Sequence, residues 1–121
     1  MIKTLFSVCF AALTFVPVVS EAASSRQCGT SSWYGMGDGF HGQRTANGER
    51  FSAYAMTAAH RYLPLGSTVK VTNLANGRVI KIRINDRGPY YSDRILDMSY
   101  GAFARLASPG SGTAQVCIAR L

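Results

Sequence analysis

Two short stretches of strict alternation commit this chain to a β fold. Thr68-Val69-Lys70-Val71-Thr72 and Ile80-Lys81-Ile82-Arg83-Ile84 carry apolar residues at every second position, the period of a half-buried strand. Asn76-Gly77 lies between them and suits a type I′ turn, so residues 68–84 read as a β-hairpin. Val69, Val71, Ile80, Ile82 and Ile84 are expected to face the core, with Lys70, Lys81 and Arg83 outward. Further strands are expected at Arg94–Met98 and Ala114–Leu121, and a short aromatic segment, Ser31–Tyr34, ends in the glycine-rich loop Gly35–Gly39. Helix is minor: Ser99 can cap Tyr100–Leu106, and Ala55–His60 could form a second single turn. Ser108–Gly112 then separates helix from final strand. Short strands, frequent turns and little helix predict an all-β, closed barrel.

The start of the chain reads as a signal and not as part of that fold. Met1–Lys3 is a short basic start, Leu5–Val19 an apolar run, and Ser20-Glu21-Ala22 offers small residues for cleavage after Ala22. The run is short for a bilayer span and no stop-transfer pattern follows, although an uncleaved anchor is the alternative. Residues 23–121 then form one domain. Cys9 leaves with the signal, while Cys28 and Cys117 remain near the two ends of the domain. In an oxidising compartment that pair favours a disulfide over two buried thiols. No lipoprotein pattern precedes Cys28, so no membrane anchor is expected, and the chain is read as an exported monomer, periplasmic or secreted.

Charge and spacing bound the partners. Cleavage would lose one base (Lys3) and one acid (Glu21), leaving the net charge at +7. Outside the cytoplasm that charge points to an anionic wall matrix and not to nucleic acid. His41 and His60 are isolated, and two cysteines alone make no zinc site, so neither metal nor cofactor is expected.

Polar residues concentrate in three places: Thr45–Phe51 with Glu49 after an Asn-Gly turn, Thr57–His60, and Ile84–Pro89, where a strand runs into Asp86. Strand ends commonly hold catalytic carboxylates, because the strand fixes the backbone while the loop opens a cleft. Ordinary turn chemistry accounts for the same residues equally well.

Four ordered blocks decide between those readings. His41-Gly42-Gln43-Arg44-Thr45-Ala46-Asn47-Gly48-Glu49-Arg50-Phe51, Thr57-Ala58-Ala59-His60-Arg61-Tyr62-Leu63-Pro64-Leu65-Gly66, Val71-Thr72-Asn73-Leu74 and Ile82-Arg83-Ile84-Asn85-Asp86-Arg87-Gly88-Pro89 resemble the rare lipoprotein A family in order and spacing, from about Trp33 to Leu106. The resemblance implies a six-stranded double-psi β-barrel with one or two short helices. It also implies a lytic transglycosylase acting on peptidoglycan glycan strands, preferring those stripped of stem peptides. By position, the family's catalytic residues fall on Glu49, His60 and Asp86. The family's lipoprotein cysteine and its C-terminal peptidoglycan-binding repeat have no counterpart in this sequence.

In such a reaction the muramic acid's own 6-hydroxyl closes onto C1, so one carboxyl group, assigned to Asp86, can donate and then accept a proton. Arg83 and Arg87 flank Asp86 and oppose a protonated carboxyl. Arg83 is expected on the opposite face, and Arg87 could turn outward to meet substrate. Glu49, converging on the same cleft, would favour proton retention by like-charge repulsion. His60 could orient a carboxylate or be a turn histidine bonded to backbone. Tyr34, Thr45, Arg87 and Tyr90 are candidate substrate contacts; Tyr34 and Tyr90 could stack on sugars, and packing accounts for either ring equally well. The competing functions are an expansin-like module that binds glycan without cleaving it, and a secreted protein that binds a protein partner.

Overall fold

The computed structural model describes residues 26–91 and 93–121; the expected signal, 1–22, lies outside the described residues. Six strands close into a barrel: β1 (Arg26–Tyr34), β2 (Thr57–Ala59), β3 (Thr68–Asn73), β4 (Val79–Asp86), β5 (Arg94–Ser99) and β6 (Thr113–Arg120). Around the wall they run β1-β5-β2-β4-β3-β6. One helix, α1 (Tyr100–Leu106), and a 3₁₀ turn, Pro109–Ser111, link β5 to β6.

The alternating residues do what their period requires. Val69, Val71, Ile82 and Ile84 are buried, and Ile80 packs half-buried against them. Leu96 and Met98 of β5, Val116 and Ile118 of β6, and Ala102, Phe103 and Leu106 of α1 complete the core. Burying a side chain of this size contributes roughly 1.5–3 kcal/mol, so these few residues dominate the fold's stability. Ser99 caps α1 as expected, its Oγ accepting from Ala102 N at 3.1 Å and donating to the Ala55 carbonyl. Gly101 is there for space: a Cβ would lie 2.9 Å from the Tyr54 backbone, against which the helix packs.

Three local expectations are corrected. The β3–β4 hairpin forms, with Thr72 opposite Val79, but residues 74–77 make a longer loop in place of the two-residue type I′ turn. The physical reason is the end of α1. Asn73 and Asn76 donate from Nδ2 to the Leu106 carbonyl, at 2.9 and 3.1 Å, satisfying an oxygen the helix cannot pair itself. Ala55–His60 is not a helical turn; Thr57–Ala59 is a buried strand between β4 and β5, where two ladders outweigh alanine's helix propensity. β1 starts at Arg26, well before the aromatic segment, because it pairs with β6 from Arg26↔Ala119 to Ser32↔Thr113.

That pairing sets Cys28 opposite Cys117, and the two form a disulfide across a sequence separation of 89. It clamps the first strand to the last from the outer face of the wall. On chain-entropy grounds a loop of this length contributes about 4–5 kcal/mol. Urea unfolding of the Cys28→Ser/Cys117→Ser variant is expected to show a loss of about 4 kcal/mol against the oxidised protein; an unchanged midpoint would show that the clamp is superfluous.

Candidate active site

The register of four neighbouring strands builds the site. Ala59 of β2 is the partner of Asp86 in β4 on one side and of Asp97 in β5 on the other, and Asp97 is in turn the partner of Ser32 in β1. Leu96 and Met98 face the core, so Asp97 between them faces outward. The two acids stand two strands apart, about 10 Å between backbones, with only a methyl group between them. Together with Tyr34, Phe40, Arg87, Gly88, Pro89, Tyr90 and Tyr91 they line an open cleft of ≈ 370 Å³. Phe40, Tyr90 and Tyr91 are exposed there, and Arg94 lies over the Tyr91 ring at 4.8 Å.

The two carboxyls have different surroundings. Asp86 faces three donors: Ala46 N at 3.0 Å and Arg87 N at 2.9 Å on Oδ1, and the Tyr34 hydroxyl at 3.2 Å on Oδ2. Asp97 accepts from the Ser32 hydroxyl at 3.1 Å. Burial pushes Asp97 up to about 6, with smaller upward contributions from the Asp38 and Asp86 charges and downward ones from Ser32 and Arg94. One group is tied down as an acceptor, and the other keeps a proton well above the usual carboxylate range. Asp97 was missed in the sequence; the available signal was a charge at mid-strand between two apolar residues.

Of the two parts open to Tyr34, it takes packing. Phe51 stacks on its ring at 4.5 Å and Phe40 meets it edge-on at 5.6 Å, so its faces are closed to a sugar. Burial, followed by the Asp86 charge, raises its phenol well above the usual value, so it remains a donor to Asp86. Gly35 permits the Phe51 stack, since a Cβ there would fall 2.4 Å from that ring.

Glu49 does not repel Asp86. Its Oε2 pairs with Arg83 Nη1 at 2.6 Å and its Oε1 accepts from Asn85 Nδ2 at 3.0 Å. Those bonds, Arg83 first, lower its pKa to about 2, so the charge is permanent and already answered. What Glu49 does is fasten a loop. Thr45 N donates to Glu49 O, Asn47 N to Asn85 O, and Ala46 N, between them, to Asp86. Thr45 has its hydroxyl turned into the same loop, against Asn47 Oδ1, and not toward the cleft.

His60 and Arg87 hold the other flank. The His60 ring is buried; its Nδ1 accepts from Tyr62 N and Leu63 N, so Nε2 carries the proton and donates to Gln27 Oε1 at 2.9 Å. Burial, with Arg87 and Arg61 nearby, lowers its pKa and keeps it neutral. It therefore bonds backbone and glutamine, not a carboxylate; its link to Asp86 is through the main chain, His60 N to Asp86 O. Arg87 turns inward: Nη1 donates to the carbonyls of His60 and Leu63. Arg61, unnoticed in the sequence, ties the other rim by donating to Pro89, Tyr91 and Arg94 carbonyls.

A family described as lytic transglycolase matches residues 26–118. The chain belongs to that family. Among lytic transglycolase relatives, the protein named endolytic peptidoglycan transglycosylase RlpA in Pseudomonas aeruginosa is 52% identical over 103 residues, covering 85% of this chain and 29% of that protein. The protein of the same name in Campylobacter jejuni is 46% identical over 103 residues, 85% of this chain and 36% of its own length. This chain thus spans roughly a third of such relatives. Among solved structures, a Clavibacter michiganensis expansin superposes with TM-score 0.64 at 18% identity, over 79% of this chain and 50% of that one. Streptomyces papain inhibitor gives 0.63 at 23%, over 79% and 94%. The lytic transglycolase fold here is the double-psi β-barrel.

Asp97 makes a pH prediction for stability. Its folded pKa, about 6, exceeds the ordinary 3.8, so the native state holds more protons between those values and its stability falls as pH rises through them. Melting temperatures of wild type and Asp97→Asn are expected to diverge from pH 4 to 6 in favour of the variant. A constant difference across that window would show that Asp97 titrates normally.

Proposed function

We propose that this chain is an endolytic peptidoglycan lytic transglycosylase, cleaving the β-1,4 bond from N-acetylmuramic acid to N-acetylglucosamine in peptide-poor strands and leaving 1,6-anhydro ends. The observation that carries this reading is the pair of unlike carboxyls, Asp86 and Asp97, on either side of Ala59 in an aromatic cleft. The curated relatives' name supports the substrate. The disulfide fits an oxidising compartment, either the periplasm or outside the cell.

The chemistry divides between the two acids. Protonated Asp97 gives its proton to the glycosidic oxygen as the bond to C1 breaks. The muramic acid's 6-hydroxyl attacks C1 and loses its proton to Asp86, which Tyr34, Ala46 N and Arg87 N hold in place. Solvent then returns a proton to Asp97 and takes one from Asp86. No water enters the product, so the spacing rule for hydrolytic carboxylate pairs does not apply. Tyr90, with an exposed ring beside Asp86, is the sugar-stacking candidate. Glu49 and His60 act as positioning residues, fastening the two chain segments that meet at Asp86.

Mass spectrometry of purified peptidoglycan strands treated with the protein tests this. Anhydro-ended fragments are expected from wild type, with rates at least about 100-fold lower in both Asp86→Asn and Asp97→Asn. Glu49→Gln, which loses the Arg83 pair, is expected to lower kcat while leaving the pH midpoint of the profile in place. A shifted midpoint would return Glu49 to the proton-transfer chemistry. Strands that retain the protein without releasing product would favour a binding module instead.

A further inference from the structure

A second charged row crosses the other half of the barrel. Arg26 is the partner of Ala119, Ala119 of Lys70, and Lys70 of Lys81, across β1, β6, β3 and β4. Arg26, Lys70 and Lys81 are exposed, while Val69, Val71, Ile82 and Ile118 fill the inward positions between them. Lys70 and Lys81 stand directly opposite one another, a like-charge pairing that destabilises a sheet. None of the four strands of the row offsets it: β1, β3 and β6 contain no acid, and the acid of β4, Asp86, is at that strand's other end. Among the described residues the ion pair present, Arg83–Glu49, belongs to the active-site loop.

The row also has shape. Ala119, small between two long cations, leaves a depression of ≈ 210 Å³ lined by Arg26, Lys70, Thr72, Cys117, Ile118 and Ala119. Arg26 and Lys70 rise from backbones about 10 Å apart, with Lys81 about 5 Å beyond. The Arg26 guanidinium, the Lys70 ammonium and the Thr72 hydroxyl thus border one depression, with Lys81 on the next strand. Guanidinium and ammonium groups are donors that phosphate oxygens accept, and each phosphate neutralised on a polyanion also releases condensed counterions. Three charges over about 15 Å suit successive groups of a polymer more than one small ion.

We propose that Arg26, Lys70 and Lys81 form a binding row for the phosphate groups of a phosphodiester-linked anionic polymer, separate from the cleft. Tyr34 lies eight residues along β1 from Arg26, about 26 Å of extended chain, and Asp86 five residues along β4 from Lys81, about 17 Å, so the row and the cleft are separate sites. The row thereby keeps the protein on a phosphate-bearing matrix while Asp86 and Asp97 face the glycan.

Binding of the purified protein to linear polyphosphate, followed over a salt series, tests the assignment. Lys70→Ala/Lys81→Ala is expected to weaken binding about tenfold or more and to flatten the log–log salt slope by about 1.4, two contacts at about 0.7 each. Arg78→Ala/Arg105→Ala, which removes the same net charge elsewhere, is expected to change affinity less than about threefold. Melting temperature checks that both pairs fold. Equal weakening by the two pairs would reduce the row to diffuse charge, and poly-glutamate binding as tightly as polyphosphate would overturn the phosphate assignment.

Discussion

The site depends on a strand of three residues. Thr57–Ala59 pairs with β4 in parallel and with β5 antiparallel, and that double pairing brings Asp86 and Asp97 to either side of Ala59. The two acids lie on consecutive strands joined by residues 87–93, and no loop could fix their separation as two hydrogen-bonded ladders do. Alanine completes the arrangement, since a larger side chain at 59 would fill the space between the two carboxyls. The barrel is the means of holding β2 in place.

Around that row, charged side chains act mostly as structural ties. Arg87 and Arg61 direct their guanidinium groups to backbone carbonyls of the chain segments bordering the cleft. Arg83 engages Glu49, which in turn fastens the loop that presents Ala46 N to Asp86. Much of the chain's positive charge near the cleft is therefore occupied within the protein. Arg26, Lys70 and Lys81, by contrast, are exposed and aligned across four strands away from the cleft.

What the sequence revealed follows from how local each determinant is. Strand period, the Ser99 cap and the position of Asp86 at a strand end are properties of a few consecutive residues, and each was readable there. The barrel and the pairing of Cys28 with Cys117 were likewise expected and are present. Asp97 was not singled out, because its meaning comes from Ala59 and Ser32 on strands far away in the chain. Glu49 reads as a neighbour for Asp86 in the sequence, but Arg83, three residues before Asp86 on β4, takes its charge. Asn76-Gly77 carried a strong hairpin signal, yet Asn76 is drawn to the end of α1, a contact no short window contains. For Tyr34, sugar stacking and packing were equally open in the sequence; Phe51, brought in by the loop, decides for packing.

The central claim is that two carboxyls share one cleft and sense each other there. Carboxyl-carbon NMR titration of wild type and Asp86→Asn measures it directly. The account predicts that Asp97 titrates at about 6 in wild type and at a lower pH once the Asp86 charge is removed. An Asp97 midpoint near the ordinary 3.8, unmoved by that substitution, would contradict it.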